Sequence, residues 1–301
     1  MDEKMKKYIK KNVNRIKILI DKLKNWYKCL TDKRCNNIVI IYQMGKVGSS
    51  SIYFTLKDFY KLPNVMHMHH MNPKYLEPIK AWHTENRYRY LPRHLLESEG
   101  FYHAYKKGKI NKNIQIVTLV RDPIAVYISS IFQNMDQVYY DYVGKDKKIK
   151  QKELTAYIIS TLGDETAQSQ GRFFNWYNYF MNWFDNELKE IFGIDIYKEK
   201  FDNSKGYQIL SRDNIKALVL KVETLNQSNR EAFSEFLQIQ DFDLQNTNIG
   251  EDKKYGQCYR LLLDNIIIPE AILKKVYTHK LVKHFYTEKE VEKFKVKWGA
   301  K

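Results

Sequence analysis

The segment QMGKVGSSS at residues 43–51 combines two glycines, a lysine and three serines. It stands between the apolar run NIVIIY and the segment IYFTLKDF, where a strand would give way to a helix. Such a junction can bind phosphate, because backbone N–H groups point out of a helix N-terminus and carry partial positive charge. Gly48 would let a phosphate approach the backbone, the serine hydroxyls would donate to it, and Lys46 would neutralise its charge.

The order of residues in this loop differs from the order that binds nucleoside triphosphates. The triphosphate loop reads G-x-x-x-x-G-K-[ST], with lysine directly after the second glycine. Here Lys46 precedes Gly48, and no Gly-Lys pair is followed by a hydroxyl that could hold magnesium. The pattern therefore disfavours a kinase or NTPase. A plain strand–turn–helix, with serines that cap the helix, is the other interpretation.

A second candidate phosphate site follows a later apolar run, Ile114–Val120. The sequence RDPIAVYIS puts Arg121 at the end of the predicted strand and Ser129 about two turns into the helix that Pro123 opens. An arginine fork can bind a terminal phosphate with two hydrogen bonds, and a serine hydroxyl can share that phosphate. The alternatives are a salt bridge between Arg121 and the N-capping Asp122, and a purely structural Ser129.

Two histidines, His67 and His69, fall in a predicted second strand at 64–70, NVMHMHH. Alternate residues of a strand point to the same face, so the two imidazoles should lie side by side. A histidine titrates near neutral pH and can take the proton of a hydroxyl group. Metal binding and simple packing are the alternatives. We expect no metal, because no third ligand stands at a suitable spacing.

Taken together, the two phosphate motifs resemble the sulfotransferase superfamily, whose members use 3′-phosphoadenosine 5′-phosphosulfate as donor. The resemblance covers residues 37–130 and implies that the first loop holds the 5′-phosphosulfate, while Arg121 and Ser129 hold the 3′-phosphate. The loop residues assigned to the donor are Gly45, Lys46, Val47, Gly48, Ser49, Ser50 and Ser51. Lys46 would also stabilise charge on the leaving phosphate, an electrostatic effect that is often large in catalysis.

The histidines resemble those of carbohydrate sulfotransferases, especially the uronyl 2-O type, in which a histidine on the second strand is the base. This resemblance implies His69 as the catalytic base, with His67 as its substitute, and a glycan hydroxyl as the acceptor. Two later segments, Trp183–Tyr197 and Lys283–Phe294, resemble bacterial proteins of capsular polysaccharide synthesis. The resemblance then extends over most of the chain after residue 36.

Weaker features follow in the second half of the chain. Lys253, Lys254 and Tyr255 stand before a predicted late helix and could close over the nucleotide, although a solvated charge run is an equal alternative. Glu223 ends a predicted strand and is interpreted as a structural partner rather than a second acid or base. The aromatic stripe that runs through 150–192 recurs at helical spacing, and we interpret it as core.

The elements that must position these motifs alternate between strand and helix patterns. They predict an α/β domain at 37–301, with a mainly parallel sheet flanked by helices and with helical insertions. The resemblance makes this a P-loop-like sulfotransferase fold. In such sheets ligands bind beyond the carboxyl ends of the strands, where all three motifs stand. A hairpin is predicted from 194–201 and 206–210, and the segments 72–113 and 139–200 are expected to shape the acceptor cleft.

Composition narrows the partners without choosing among them. A net charge of +16 favours anionic partners such as nucleotides, acidic glycans or a membrane surface. Residues 1–36 read as a basic amphipathic helix that would lie on a membrane or pack on the domain. Three cysteines suit a reducing compartment, and neither a signal peptide nor a spanning segment is recognisable. We therefore expect a cytoplasmic protein, peripheral at most to the inner face of the membrane.

Three classes of function remain open from the sequence. The first is a sulfotransferase that acts on a glycan or polysaccharide, with a nucleotide donor and no nucleic-acid partner. The second is a kinase-like phosphotransferase that uses the same loop, for which Asp122 is the one good candidate to bind magnesium. The third is a non-enzymatic basic protein that binds nucleic acid or membrane, which would leave both phosphate motifs without a purpose.

Overall fold

The computed structural model describes residues 36–85, 91–133, 151–162, 176–245 and 256–299. Within these ranges the chain forms a five-stranded sheet covered by helices, which confirms the predicted α/β class. The predicted N-terminal helix falls almost wholly outside the described residues. No helix in the described part of the chain is long and apolar enough to cross a membrane.

The sheet is mostly parallel. Its strands are β1 (Asn37–Tyr42), β2 (Val65–Met68), β3 (Asn113–Val120), β4 (Tyr207–Arg212) and β5 (Ile215–Lys221). They lie in the order β2-β1-β3-β5-β4, with β4 antiparallel to β5 and every other neighbour parallel. The three central strands are nearly continuous apolar runs, as expected for strands that are covered on both faces.

Helices connect and cover these strands. They are α1 (Ser49–Phe54), continued by a π-helical turn (Thr55–Phe59), α2 (Pro73–Glu85), α3 (Arg93–Lys106), α4 (Pro123–Gln133), α5 (Gln151–Thr161), α6 (Trp176–Met181), a π-helical segment (Phe184–Lys189) that leads into α7 (Glu190–Phe192), α8 (Leu225–Leu237), α9 (Gly256–Asn265), α10 (Glu270–Tyr277), α11 (Lys280–Phe285) and α12 (Glu288–Trp298). Pro73 and Pro123 each begin a helix, where the missing N–H of proline removes no helical hydrogen bond.

The strand order creates a crevice beyond the ends of two strands. β1 and β3 are neighbours at the centre of the sheet. The chain continues from β1 to β2 at one edge, and from β3 to β4 and β5 at the other edge. Open parallel sheets bind ligands at such a switch point, outside the carboxyl ends of the strands. The loop 43–48 follows β1 and Arg121 follows β3, so both predicted phosphate motifs border this crevice.

The predicted hairpin is wrong in its pairing. The segment expected to form its first strand contains a 3₁₀ turn at Ile196–Lys198, and β4 pairs with β5 instead. The carboxylate of Asp202 accepts from the backbone N–H groups of Ser204 and Lys205, which closes a local turn where the predicted connection stood. The actual hairpin turns at Asp213, whose φ of 52° is left-handed and suits a tight connection.

An ion pair between a buried lysine and a partly exposed glutamate ties the C-terminal helices to the sheet. Lys221, at the end of β5, is 1% exposed. Its ammonium lies 2.7 Å from the carboxylate of Glu290, 2.8 Å from Oδ1 of Asn203 and 3.5 Å from the carbonyl oxygen of Phe285. Each of the three ammonium hydrogens thus has an acceptor, as a buried lysine requires. Glu290 also completes the capping box of α12 with Thr287.

Breaking this ion pair should cost more stability than replacing both of its members. Glu290→Gln keeps the size of the side chain but leaves the buried ammonium without its counter-charge, and we expect a loss of about 3 kcal/mol. The double variant Lys221→Met/Glu290→Gln should lose less. Urea unfolding measures both, with the exposed Glu288→Gln of the same helix turn as the control. Equal losses in the single and double variants would contradict this account.

Candidate functional site

The loop after β1 turns through two left-handed residues before it enters α1. Gly48 has a φ of 80°, which glycine adopts without steric cost, and Lys46 has a φ of 72°. A Cβ built on Gly48 would meet no atom within 4 Å, so the space in front of the loop is open. Val47 is fully buried, so only its backbone can face a ligand. Gly45 is exposed, and Lys46 is partly exposed.

Arg121 reaches from the end of β3 to this loop. Its guanidinium donates a hydrogen bond to the carbonyl oxygen of Lys46, at 3.2 Å. The neighbouring Asp122 points the other way and accepts from the indole N–H of Trp298, at 2.6 Å, and from the hydroxyl of Tyr277, at 2.9 Å. The salt bridge between Arg121 and Asp122 is therefore not formed, and the arginine belongs to the loop side of the crevice.

Two carboxylates, of the buried Asp122 and the solvent-accessible Glu223, organise the backbone at this strand end. Asp122 accepts from the N–H of Ile124 at 3.2 Å, which confirms it as the cap of α4. Glu223 accepts from the N–H of Asp122 at 2.8 Å and from the hydroxyl of Tyr286 at 2.9 Å. Desolvation raises the pKa of both carboxyl groups. Glu223 is thus a structural partner, as predicted.

Ser49 joins the loop to His67 of β2 and to His69, which follows the strand, since β2 ends at Met68 and not at residue 70 as predicted. Its hydroxyl lies 2.9 Å from Nε2 of His67 and 2.6 Å from the side-chain amide of Gln43, which is fully buried. The same amide nitrogen lies 3.1 Å from Nδ1 of His69. The ring centroids of the two histidines are 4.8 Å apart, which confirms that they share one face. Tyr53 stacks on His67 at 5.2 Å.

The contacts of His69 bear on which of its ring nitrogens accepts a proton. Nδ1 lies 3.1 Å from the backbone carbonyl oxygen of Gln43. A carbonyl oxygen only accepts, so the tautomer with the hydrogen on Nδ1 satisfies this contact and leaves the lone pair on Nε2, whereas the other tautomer would accept from the side-chain amide of Gln43 at the same distance. In His67, by contrast, it is Nε2 that meets the hydroxyl of Ser49. His69 is therefore the better-oriented base of the two.

Four histidines gather at this point, and their pKa values are lowered. The ring of His69 lies 6.0 Å from that of His94 and 6.2 Å from that of His70, measured between centroids. Burial, assisted by the neighbouring imidazoles, lowers the pKa of His67 to about 3 and that of His94 to about 4. Burial also lowers the pKa of His69, as does Lys46. The sequence predicted a histidine base with an unperturbed pKa, and this prediction is wrong because the pKa of His69 is lowered.

A buried glutamate holds the strand end that carries the histidines. Glu187, in the π-helical segment, is fully buried. Its carboxylate accepts from the backbone N–H groups of Met71, at 3.0 Å, and Asn72, at 2.9 Å. It also accepts from the hydroxyls of Tyr42 and Tyr179, the latter at 3.0 Å. Burial outweighs these four donors and raises the pKa of Glu187 to about 7.

Two aromatic side chains of the same part of the chain complete the support. The indole N–H of Trp183 donates to the backbone carbonyl of His69 at 3.1 Å. The hydroxyl of Tyr179 meets Nδ1 of His70 as well as the carboxylate of Glu187. The predicted aromatic stripe is buried from Tyr177 to Leu188, which confirms this part of it as core. Trp183 and Tyr179 also direct a polar atom to residues 67–70, which we call the histidine segment.

The structure brings some of the predicted site residues together. Lys46, Ser49, Arg121, His67 and His69 meet around the crevice. Ser50 and Ser51 lie on α1 and Ser129 lies on α4, and all three are partly exposed. The predicted nucleotide-closing residues, Lys253, Lys254 and Tyr255, lie outside the described residues.

Sequence reasoning missed five contributors to this site. They are Gln43, Tyr53, His70, His94 and Glu187. Gln43 and His70 stand inside the quoted motifs, and a polar residue directly after an apolar strand was the available signal. Glu187 is an acid within an aromatic stripe, a position where a charge needs buried partners. Tyr53 and His94 carry no local signal.

Residues 173–287 match the family model described as Putative capsular polysaccharide synthesis protein. No curated protein and no solved structure matches the chain. The matched range includes Glu187, Trp183 and Tyr179, the side chains that hold the histidine segment in place. The loop at 43–51 and Arg121 lie outside the matched range.

The raised pKa of Glu187 predicts a pH-dependent stability difference. Because the folded pKa lies above the usual 4.5, the carboxyl favours the folded state at low pH, and this advantage is lost as the pH rises through about 7. The neutral Glu187→Gln variant lacks this titration. Relative to that variant, wild type should lose up to about 3 kcal/mol between pH 4.5 and pH 8.

Urea unfolding at a series of pH values measures this difference. Glu190→Gln, an exposed position on the same helical stretch, is the control and should follow wild type. If wild type and Glu187→Gln show parallel pH profiles, Glu187 titrates as it does in the unfolded chain and the account fails.

Proposed function

We propose that this protein transfers a sulfuryl group from 3′-phosphoadenosine 5′-phosphosulfate to a hydroxyl group of a glycan. The contact between Arg121 and the carbonyl of Lys46, at 3.2 Å, carries the proposal. It joins two phosphate-binding motifs that are far apart in sequence, at the switch point of a parallel sheet. A candidate base, His69, stands beside the same loop through Gln43 and Ser49.

The donor would be held by backbone and side chains around the crevice. The loop Gly45–Ser51 would bind the 5′-phosphosulfate through its N–H groups, with the charge of Lys46. Arg121 would bind the 3′-phosphate, with the hydroxyl of Ser129 as its partner. One N–H of the guanidinium donates to Lys46, and no carboxylate among the described residues pairs with the others. A guanidinium in this state is suited to a phosphate.

In the reaction, the acceptor hydroxyl oxygen forms a bond to sulfur while the bond between sulfur and the phosphate oxygen breaks. The hydroxyl proton passes to Nε2 of His69, and adenosine 3′,5′-bisphosphate leaves. The lowered pKa keeps His69 neutral at pH 7 and so able to accept. The carbonyl of Gln43 orients the ring, and Lys46 stabilises charge on the leaving phosphate.

The alternatives explain less of this arrangement. A kinase-like phosphotransferase would need a carboxylate at a strand end to bind magnesium. Asp122, the candidate, directs its two oxygens to Tyr277 and Trp298 in the core. A non-enzymatic basic protein would have no use for the linked Ser49 and His67. The net charge of +16 suits an acidic glycan as well as an anionic donor, and we propose a cytoplasmic location, with residues 1–36 near the inner face of the membrane.

Binding of adenosine 3′,5′-bisphosphate tests the donor site. A ligand of the folded state raises the thermal midpoint by mass action, and we expect this rise with the bisphosphate. Arg121→Ala should weaken binding by about 10- to 100-fold, the effect of losing hydrogen bonds to a charged group. Arg230→Ala, an exposed arginine on α8, is the matched control. A rise with ATP and magnesium alone would instead favour the kinase.

Release of the bisphosphate in the presence of donor and a uronic-acid polysaccharide tests the base. His69→Asn keeps a donor toward the carbonyl of Gln43 but removes the lone pair, so turnover should fall by about 100-fold or more. Turnover by the His94→Asn variant, which changes a neighbouring ring, should fall far less. Because the pKa of His69 is lowered, the acid limb of the wild-type rate should lie below pH 6.5. An acid limb above that value, or normal turnover by His69→Asn, would exclude this base.

A further inference from the structure

A cleft of about 460 Å³, lined by polar and aromatic residues, opens beside the histidine segment. One wall is the start of α2, with Lys74 and Tyr75, and the opposite wall is formed by α6 and the π-helical segment. Both walls come from the two parts of the chain that were expected to shape the acceptor cleft. The second wall lies within the range that matches the capsular polysaccharide family.

Three asparagines line one wall at intervals of four residues. Asn178, Asn182 and Asn186 therefore lie along one face of the helical stretch. The side-chain N–H of Asn182 donates to the backbone carbonyl of Asn178 at 2.9 Å, which fixes the orientation of this amide. An amide offers both donors and acceptors, as does the hydroxyl of a sugar. A row of amides with this spacing suits a ligand that carries several hydroxyls.

The other wall offers an aromatic surface and a charge. The ring of Tyr75 is partly exposed and lies 4.5 Å from that of Tyr179, between centroids. The ammonium of Lys74 is exposed, lies 5.5 Å from the ring of Tyr75 and forms no ion pair with a described carboxylate. The second lysine of the cleft, Lys280, pairs with Asp185 at 2.6 Å. Lys74 is thus the cation that can meet an anionic ligand.

We propose that this cleft binds a uronic acid unit of the acceptor glycan. The face of the sugar ring packs on Tyr75, its hydroxyls bond to the asparagine row, and its carboxylate lies near Lys74. The position fits an acceptor, because Tyr179 borders the cleft and also meets His70, whose ring is 6.2 Å from His69. The term acceptor rests on the proposed function, whereas the assignment of the ligand rests on the cleft alone.

The test is calorimetric titration of the full chain with an unsulfated hexasaccharide that contains glucuronic acid, beside the neutral maltohexaose. Tyr75→Ala should weaken binding of the acidic hexasaccharide by about tenfold, since it removes the aromatic surface on which the sugar ring packs. Asn186→Asp keeps the size of the side chain but adds a negative charge. This charge repels the carboxylate of the ligand, so the variant should also bind more weakly. Lys74→Ala should remove the preference over maltohexaose.

A matched pair of controls lies on α3. Lys106 sits 5.9 Å from the ring of Tyr102, an arrangement like that of Lys74 and Tyr75 but outside the cleft. Tyr102→Ala and Lys106→Ala should bind the hexasaccharide as wild type does. Thermal unfolding of each variant checks that it folds.

Binding of adenosine 3′,5′-bisphosphate to the same variants separates this inference from the proposed function. It should be unchanged in all cleft variants. Hexasaccharide binding without bisphosphate binding in wild type would defeat the donor proposal and leave the cleft assigned. The cleft assignment is overturned if wild type does not bind the hexasaccharide, if the cleft variants bind it as wild type does, or if maltohexaose binds equally well.

Discussion

The carboxylate of Glu187 lies where β1, the segment after β2 and the aromatic helical stretch meet. Two backbone N–H groups, of Met71 and Asn72, have turned away from the sheet at this point and would be buried without an acceptor. Leaving such groups unpaired costs about 1–3 kcal/mol each, so the carboxylate fixes the path of the chain there. That path decides where His69 stands relative to the loop after β1.

At the end of β3, a buried carboxylate again has its hydrogen-bond donors, but here it turns the neighbouring side chain outward. Asp122 and Arg121 follow β3 directly and point in opposite directions. Asp122 turns inward, where Trp298 and Tyr277 donate to it, and so anchors the C-terminal helices. Arg121 is thereby directed outward to the crevice and to Lys46. A buried acid that satisfies the core on one side leaves a cation exposed to a ligand on the other.

Sequence alone predicted the parts of this arrangement that are local. The central strands are apolar runs, and the loop at 43–51 and Arg121 stand directly at their ends. The hairpin was mispredicted, since its true turn depends on a left-handed Asp213 that composition does not reveal. The support from Glu187 was missed for a different reason: its partner Met71 is 116 residues away, and only the fold joins them.

The family match and the donor motifs concern different sides of the site. The matched range, 173–287, contributes Glu187 and Trp183 behind the histidines and the asparagine row of the cleft. The sheet and its loops contribute the crevice where Arg121 meets Lys46. His69 lies between the two and contacts both, through Trp183 on one side and Gln43 on the other. The match therefore supports the polysaccharide half of the proposal, and the contact between Arg121 and Lys46 supports the donor half.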